Sequence, residues 1–246
     1  MQLIKDKFKI LEKIKIDPNN YNLNLNLGMI YVGEKKFTDA KMCFKKLIQI
    51  DKSRYEGYLN LSNIYGIENK YNQSENTLKN YVKKNGYHKD IISGLAGIYY
   101  NSDNYKKLNI LINQNIDHEE NHVLFFLKSV IYENDKNTKS QISYLNKTIE
   151  TNHSFWPAYE KLFNIYERTN KINEFESLIS VANNKFSNKI KLIYYKSLLY
   201  FRKNNFDMAL EVLDINKLEI EFSKNSNNIY LVNFYDLISK IYLKLK

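Results

Sequence analysis

The chain has 246 residues, 43% of them hydrophobic, with a mean hydropathy of −0.53 and only 2 Pro and 7 Gly. That is enough apolar material for a core and for long helices in a soluble chain, with little room for linkers. A single cysteine, Cys43, excludes a disulfide framework and a cysteine metal site, and no apolar run reaches the roughly 18 uncharged residues of a membrane helix. The formal net charge is +10, from 37 Lys+Arg against 27 Asp+Glu. Its lysines are scattered through a chain rich in Asn, Ile, Tyr and Phe, which fits AT-rich coding better than a nucleic-acid-binding block, so no nucleic-acid partner is expected.

Residues 3 to 15 put Leu3, Ile4, Phe8, Leu11 and Ile14 on one helical face. Asp17-Pro18-Asn19-Asn20 ends that helix, because proline disfavours helix in the residue before it. The charges in MQLIKDKFKILEKIK deny it the apolar core of a secretion signal, which makes the cytoplasm the expected compartment.

A repeating pattern follows. Leu27-Gly28, Tyr31, Phe37, Ala40, Phe44 and Leu47 recur as Leu61-Ser62, Tyr65, Tyr71, Ser74 and Leu78, then as Leu95-Ala96, Tyr99, Tyr105, Leu108 and Ile112. Leu27, Leu61 and Leu95 stand 34 apart, and so do Tyr31, Tyr65 and Tyr99. Each unit is a helix, a polar turn (Glu34-Lys35-Lys36, Glu68-Asn69-Lys70, Ser102-Asp103-Asn104) and a second helix. Gly28, Ser62 and Ala96 are the small residues at the crossing of the two helices, faced by Ala40, Ser74 and, in a later unit, Ala209. The fourth unit is degenerate: Leu127 and Ile131 hold its first helix, Lys128 stands at the small position, and Ser140 to Ile149 is polar. The fifth recovers with Trp156-Pro157-Ala158-Tyr159, Leu162 and Tyr166, although Phe163 and Phe175 occupy small positions. The sixth carries Ser197, Tyr200, Phe206, Ala209 and Leu213. After a longer connection, Glu219 to Asn228, a helix of the first type restarts at Tyr235, Ile238-Ser239 and Tyr242.

Leu27-Gly28-x2-Tyr31 followed by Ala40-x3-Phe44 resembles the tetratricopeptide (TPR) repeat, and the resemblance extends over residues 3 to 246. It implies an all-α fold: a right-handed α-solenoid of antiparallel helix pairs, with repeats near 21–54, 55–88, 89–120, 121–155, 156–189 and 190–231. An unpaired second (B) helix in 1–20 and an unpaired first (A) helix in 232–246 would flank them. It also implies a non-catalytic scaffold whose A helices line a concave groove for a protein or peptide ligand. RNA-binding pentatricopeptide repeats share this period, but the Leu-Gly/Ser/Ala…Tyr…Ala/Ser signature favours the first family. Similar arrays occur fused ahead of sulfotransferase or glycosyltransferase domains, so the alternative expectation is the substrate-presenting region of such a transferase. No R-S-G-T-like phosphosulfate loop occurs in these residues, and the coding sequence beyond Lys246 would separate the two.

In that family, residues two, five, six, nine and thirteen of each A helix face the ligand. Here the first two repeats offer the amides of Asn26, Asn60 and Asn63, which resemble the asparagine ladder in the TPR half of O-GlcNAc transferase. Ser93, Gly94 and Gly97 follow as a flat floor, then Phe125, Phe126 and Ser129. Lys161, Asn164, Arg168, Lys191, Tyr195 and Arg202 resemble the carboxylate clamp of chaperone-binding TPR domains, although Leu25 and Met29 replace that clamp's Lys and Asn. Cations backed by amide and phenol donors predict an acidic ligand segment.

His118-Glu119-Glu120-Asn121-His122 matches H-E-x-x-H, the zinc-protease pattern. Its place at a repeat junction, with Phe125 and Lys128 where a metzincin has Gly and His, argues for a turn without zinc. No phosphate loop or nucleophile motif occurs, so neither a cofactor nor an enzymatic activity is expected. The last helix is apolar almost all round and neither end is expected to carry a polar outer face, which predicts self-association through the terminal helices.

Overall fold

The structure is a computed structural model that describes residues 2–116, 121–186, 189–213 and 229–245. Among them are fourteen helices and no strand: α1 (Gln2–Ile16), α2 (Tyr21–Gly33), α3 (Phe37–Ile50), α4 (Glu56–Ile67), α5 (Tyr71–Asn85), α6 (Lys89–Asn101), α7 (Tyr105–Asn115), α8 (His122–Asn134), α9 (Thr138–Thr151), α10 (Trp156–Arg168), α11 (Ile172–Lys185), α12 (Lys189–Arg202), α13 (Phe206–Leu213) and α14 (Ile229–Leu245). The fold is an all-α solenoid. The connection expected over Glu219–Asn228 lies outside the described residues.

One turn recurs. Lys35, Asn69, Asp103, Lys136, Asn170 and Asn204 all take φ between 53° and 58°. The residue after each donates its N–H to the carbonyl of the tyrosine five places back: Tyr31, Tyr65, Tyr99, Tyr132, Tyr166 and Tyr200, at 2.8–2.9 Å. This is the long bond of a Schellman closure, which satisfies an orphan carbonyl and reverses the chain. Asn and Asp tolerate the left-handed region better than lysine does, because their short polar side chains bond locally.

The same turn corrects the fourth repeat. The left-handed residues lie 34 apart except between Asp103 and Lys136, where the spacing is 33. One residue is missing from the register, so Tyr132 is the repeat tyrosine, Lys128 takes the leucine place, and the small place falls to Ser129, which is fully buried. Lys128 is itself buried, its ammonium donating to Oδ1 of Asn109 and Asn113, both at 2.8 Å. The polar helix α9 still buries Gln141, Leu145, Thr148 and Ile149.

The chain divides into two compact units, Met1–Ile131 and Tyr132–Lys246. In the first, α2 crosses α3 where a Cβ on Gly28 would lie 2.5 Å from the buried Phe44 ring. At the next crossing, Ser74 Oγ donates to the Ser62 carbonyl at 2.8 Å and lies 2.8 Å from Ser62 Oγ. A hydrogen bond there does the work of close apolar contact. Lys7 pairs with Glu34 and lies over the Tyr31 ring, and Lys41 does the same with Glu68 and Tyr65. Thus α1 meets α2 as α3 meets α4.

Among the described side chains of α1, Lys9, Glu12, Lys13 and Lys15 are exposed beside Phe8 and Ile16.

In the second unit, large residues at small positions are accommodated by matching partners. Phe163 and Phe175 are both fully buried, with ring centroids 5.4 Å apart, and Tyr195 stacks on Phe163 at 4.4 Å. Ser197 Oγ donates to the Ala209 carbonyl at 2.8 Å where α12 crosses α13. Phe234, Leu237 and Ile241 dock α14 on Ala209 and Leu213.

Candidate functional site

In the first unit, the expected groove residues lie on the A helices α2, α4 and α6. Asn26 and Asn63 are exposed. Asn60 is half-buried, and its amide N–H already donates to the Glu56 carbonyl at 2.8 Å. The asparagine series stops at α6, where Gly94 takes the equivalent place, wedged against Leu78 and Leu59.

Between α4 and α6 lies a cleft of about 500 Å3, lined by Asn63, Gly66 and Ile67 on one side and Ser93, Gly97 and Asn101 on the other. Gly66 and Gly97 differ from Gly28 and Gly94: a Cβ added to either would meet nothing within 4 Å. A glycine inside a helix costs about 1 kcal/mol relative to alanine, and no close packing accounts for it at Gly97, whereas Gly66 stands next to last in α4. Their effect is to leave two bare stretches of helix backbone facing the cleft, with the amides of Asn63 and Asn101 beside them. Sequence reasoning placed Gly97 there but missed Gly66 and Asn101. Asn101 was legible, being the thirteenth residue of its helix.

Two expected groove residues lie elsewhere. Ser129 is fully buried at the small position, its hydroxyl donating to the Phe126 carbonyl, because the missing register residue shifts it inward. Phe126 is partly buried and packs on the core of the first unit.

In the second unit, Lys161, Asn164 and Arg168 project from α10, and Lys191, Tyr195 and Arg202 from α12. Tyr195 is core: it is 4% exposed, and its hydroxyl donates to Asn164 Oδ1 at 3.3 Å. The expected cationic surface is also largely neutralised. Lys161 pairs with Glu133, Arg202 with Glu167, and Lys191 lies 5.6 Å over the Trp156 ring. Arg168 is exposed and makes no ion pair with the described residues. Glu133 and Glu167 stand 34 apart, each directly after a repeat tyrosine, so the acids were visible once the register was corrected.

Of the H-E-x-x-H motif, His118, Glu119 and Glu120 lie outside the described residues. Asn121 stands before α8 and caps it, its Oδ1 accepting from the N–H groups of Val123 and Leu124. His122 is the first residue of α8. Burial, then the nearby Lys89, lower the His122 pKa from its ordinary value. Among the described residues, no three of His, Cys, Asp and Glu gather into a metal-sized group, and no helix is long and apolar enough to cross a membrane.

Residues 21–54, the α2–α3 pair, match the family model of the tetratricopeptide repeat, and the turn that closes that pair recurs through both units. That pair is a tetratricopeptide repeat. Solved structures of this class share the chain's fold. A tetratricopeptide repeat protein from Parabacteroides merdae superposes with a TM-score of 0.61 at 15% identity, covering 99% of this chain and 93% of the other. PilF of Pseudomonas aeruginosa gives 0.66 at 11% identity, covering 91% and 98%. In the Cut9–Hcn1 hetero-tetramer of the APC/C, the matching chain gives 0.66 at 14% identity, covering 96% of this chain and 46% of that one. At such identities the likeness establishes the fold alone. No curated protein matches the sequence significantly.

Proposed function

We propose that this repeat protein is a non-catalytic scaffold that holds an extended segment of another protein against the A helices of its first unit. The observation that carries the reading is the α4–α6 cleft, where Gly97 inside α6 and Gly66 at the end of α4 leave backbone bare, the first at a cost that packing does not explain. Against bare helix a ligand strand can approach closely, and Asn63 and Asn101 each offer an amide donor and acceptor to its main chain. Recognition of main chain sets shape above charge. The ion pairs Lys161–Glu133 and Arg202–Glu167 move the reading further from an acidic ligand, since two of the four expected cations are already satisfied.

Phage display of random peptides against the full chain supplies the test. Enriched peptides should bind the native protein and lose at least about tenfold in affinity to Gly97→Leu, whose side chain fills the cleft. They should lose a smaller factor to Asn63→Ala. Enriched peptides that bind Gly97→Leu as tightly as the native chain would remove the cleft from consideration.

A further inference from the structure

Among the described residues, the outer face of α14 is an apolar surface left open. This helix follows the A-helix pattern, with Ile238-Ser239 and Tyr242 where earlier repeats have Leu61-Ser62 and Tyr65. The positions that other A helices bury are open here. Ser239 is exposed where Ser62 and Ser197 are buried, and Tyr242 is 50% exposed where Tyr99 is 5%. Tyr235 and Val232 extend the stripe, at 54% and 69%.

We propose that this face binds a second copy of the chain, α14 against α14 in antiparallel orientation. Val232, Tyr235, Ser239 and Tyr242 are spaced 3-4-3, the spacing of a helix–helix seam. The seam alternates in size and is therefore complementary to its own reverse: Tyr235 lies over the second copy's Ser239, and Tyr242 over the second copy's Val232. Ser239 spends its hydroxyl on the Asp236 carbonyl and behaves there as a small residue. Beside the seam Lys240 pairs with Asp236 at 2.6 Å, and the antiparallel orientation sets the two copies of the remaining charge, Lys244 in the last turn, at opposite ends. An end-to-end chain of copies would set this stripe against the exposed Lys9, Glu12, Lys13 and Lys15 of α1. A two-fold pairing also closes on itself, where end-to-end contact would not.

Val232, Tyr235 and Tyr242 form an exposed apolar stripe on one helix, the kind of surface that marks an interaction site. A stripe on a single helix is short of the roughly 800 Å2 per partner of a stable complex. The dimer is therefore weak and reversible.

Sedimentation of the full chain should show a monomer–dimer equilibrium, and Tyr235→Lys with Tyr242→Lys should raise the dissociation constant at least about tenfold at unchanged helicity. A short bifunctional thiol reagent should join Tyr235→Cys to Ser239→Cys in an equimolar mixture, the native Cys43 being buried. Lys9→Cys should join to neither. A strict monomer at the highest soluble concentration would overturn the proposal, as would a dimer indifferent to both lysines or efficient Lys9→Cys to Ser239→Cys coupling. So would a monomer in which residues 232–245 resist hydrogen exchange, which would place the cover within the chain.

Discussion

The substitution Gly→Ala should act with opposite sign at two positions of the first unit. At Gly97, in the middle of α6, the new methyl meets nothing within 4 Å. Only the intrinsic gain remains, about 0.8–1.0 kcal/mol of helix propensity, so Gly97→Ala should stabilise. At Gly28 the methyl would sit 2.5 Å from Phe44 Cε1, and that ring is fully buried between α2 and α3. Forcing a methyl into a packed core costs about 1–3 kcal/mol. Less the same propensity gain, Gly28→Ala should destabilise by roughly 1 kcal/mol. For a chain of this length each kcal/mol moves the melting midpoint by about 2–4 °C, so the two variants should straddle the native protein. Because repeat arrays unfold cooperatively mainly between neighbours, urea titration followed by circular dichroism should accompany the thermal scan. Equal signs for the two variants, or a destabilising Gly97→Ala, would refute the account of why these glycines differ.

Acid should weaken the first unit through Glu75, where burial opposes the charge but is outweighed by hydrogen bonds from Lys79, Lys107 and Tyr99, leaving the folded pKa below the ordinary 4.5. That contribution is complete above the ordinary value and is lost as pH falls through the depressed one. The urea midpoint of the native chain should therefore drop more between pH 7 and pH 3.5 than that of Glu75→Gln, and parallel pH profiles would dismiss the role. Cys43 should be silent to thiol reagents at about pH 8 until the chain opens, since burial, then the charge of Asp39, push its pKa up to about 11. Rapid labelling of native protein would contradict this.

The sequence by itself determined the helix pairs, because they depend on local chemistry repeated every 34 residues. A tyrosine supplies the carbonyl that closes the turn, a polar residue takes the left-handed conformation, and a small residue marks the crossing. The tyrosine and the left-handed residue survive in each of the six turns, and the small residue in all but the fifth unit, where Phe163 stands. What the sequence hid was register and pairing. A single missing residue between Asp103 and Lys136 moves Ser129 from the groove to the core, and a side-chain count that assumes 34 places everything beyond it one step off. Charge was legible as composition but not as partnership: whether Lys161 and Arg202 await a ligand or meet Glu133 and Glu167 is settled only when neighbouring helices bring those groups together. The same holds for glycine. Gly28, Gly94 and Gly97 are alike in sequence, and only the packing distinguishes those that make room for a neighbouring side chain from the one that leaves a helix bare.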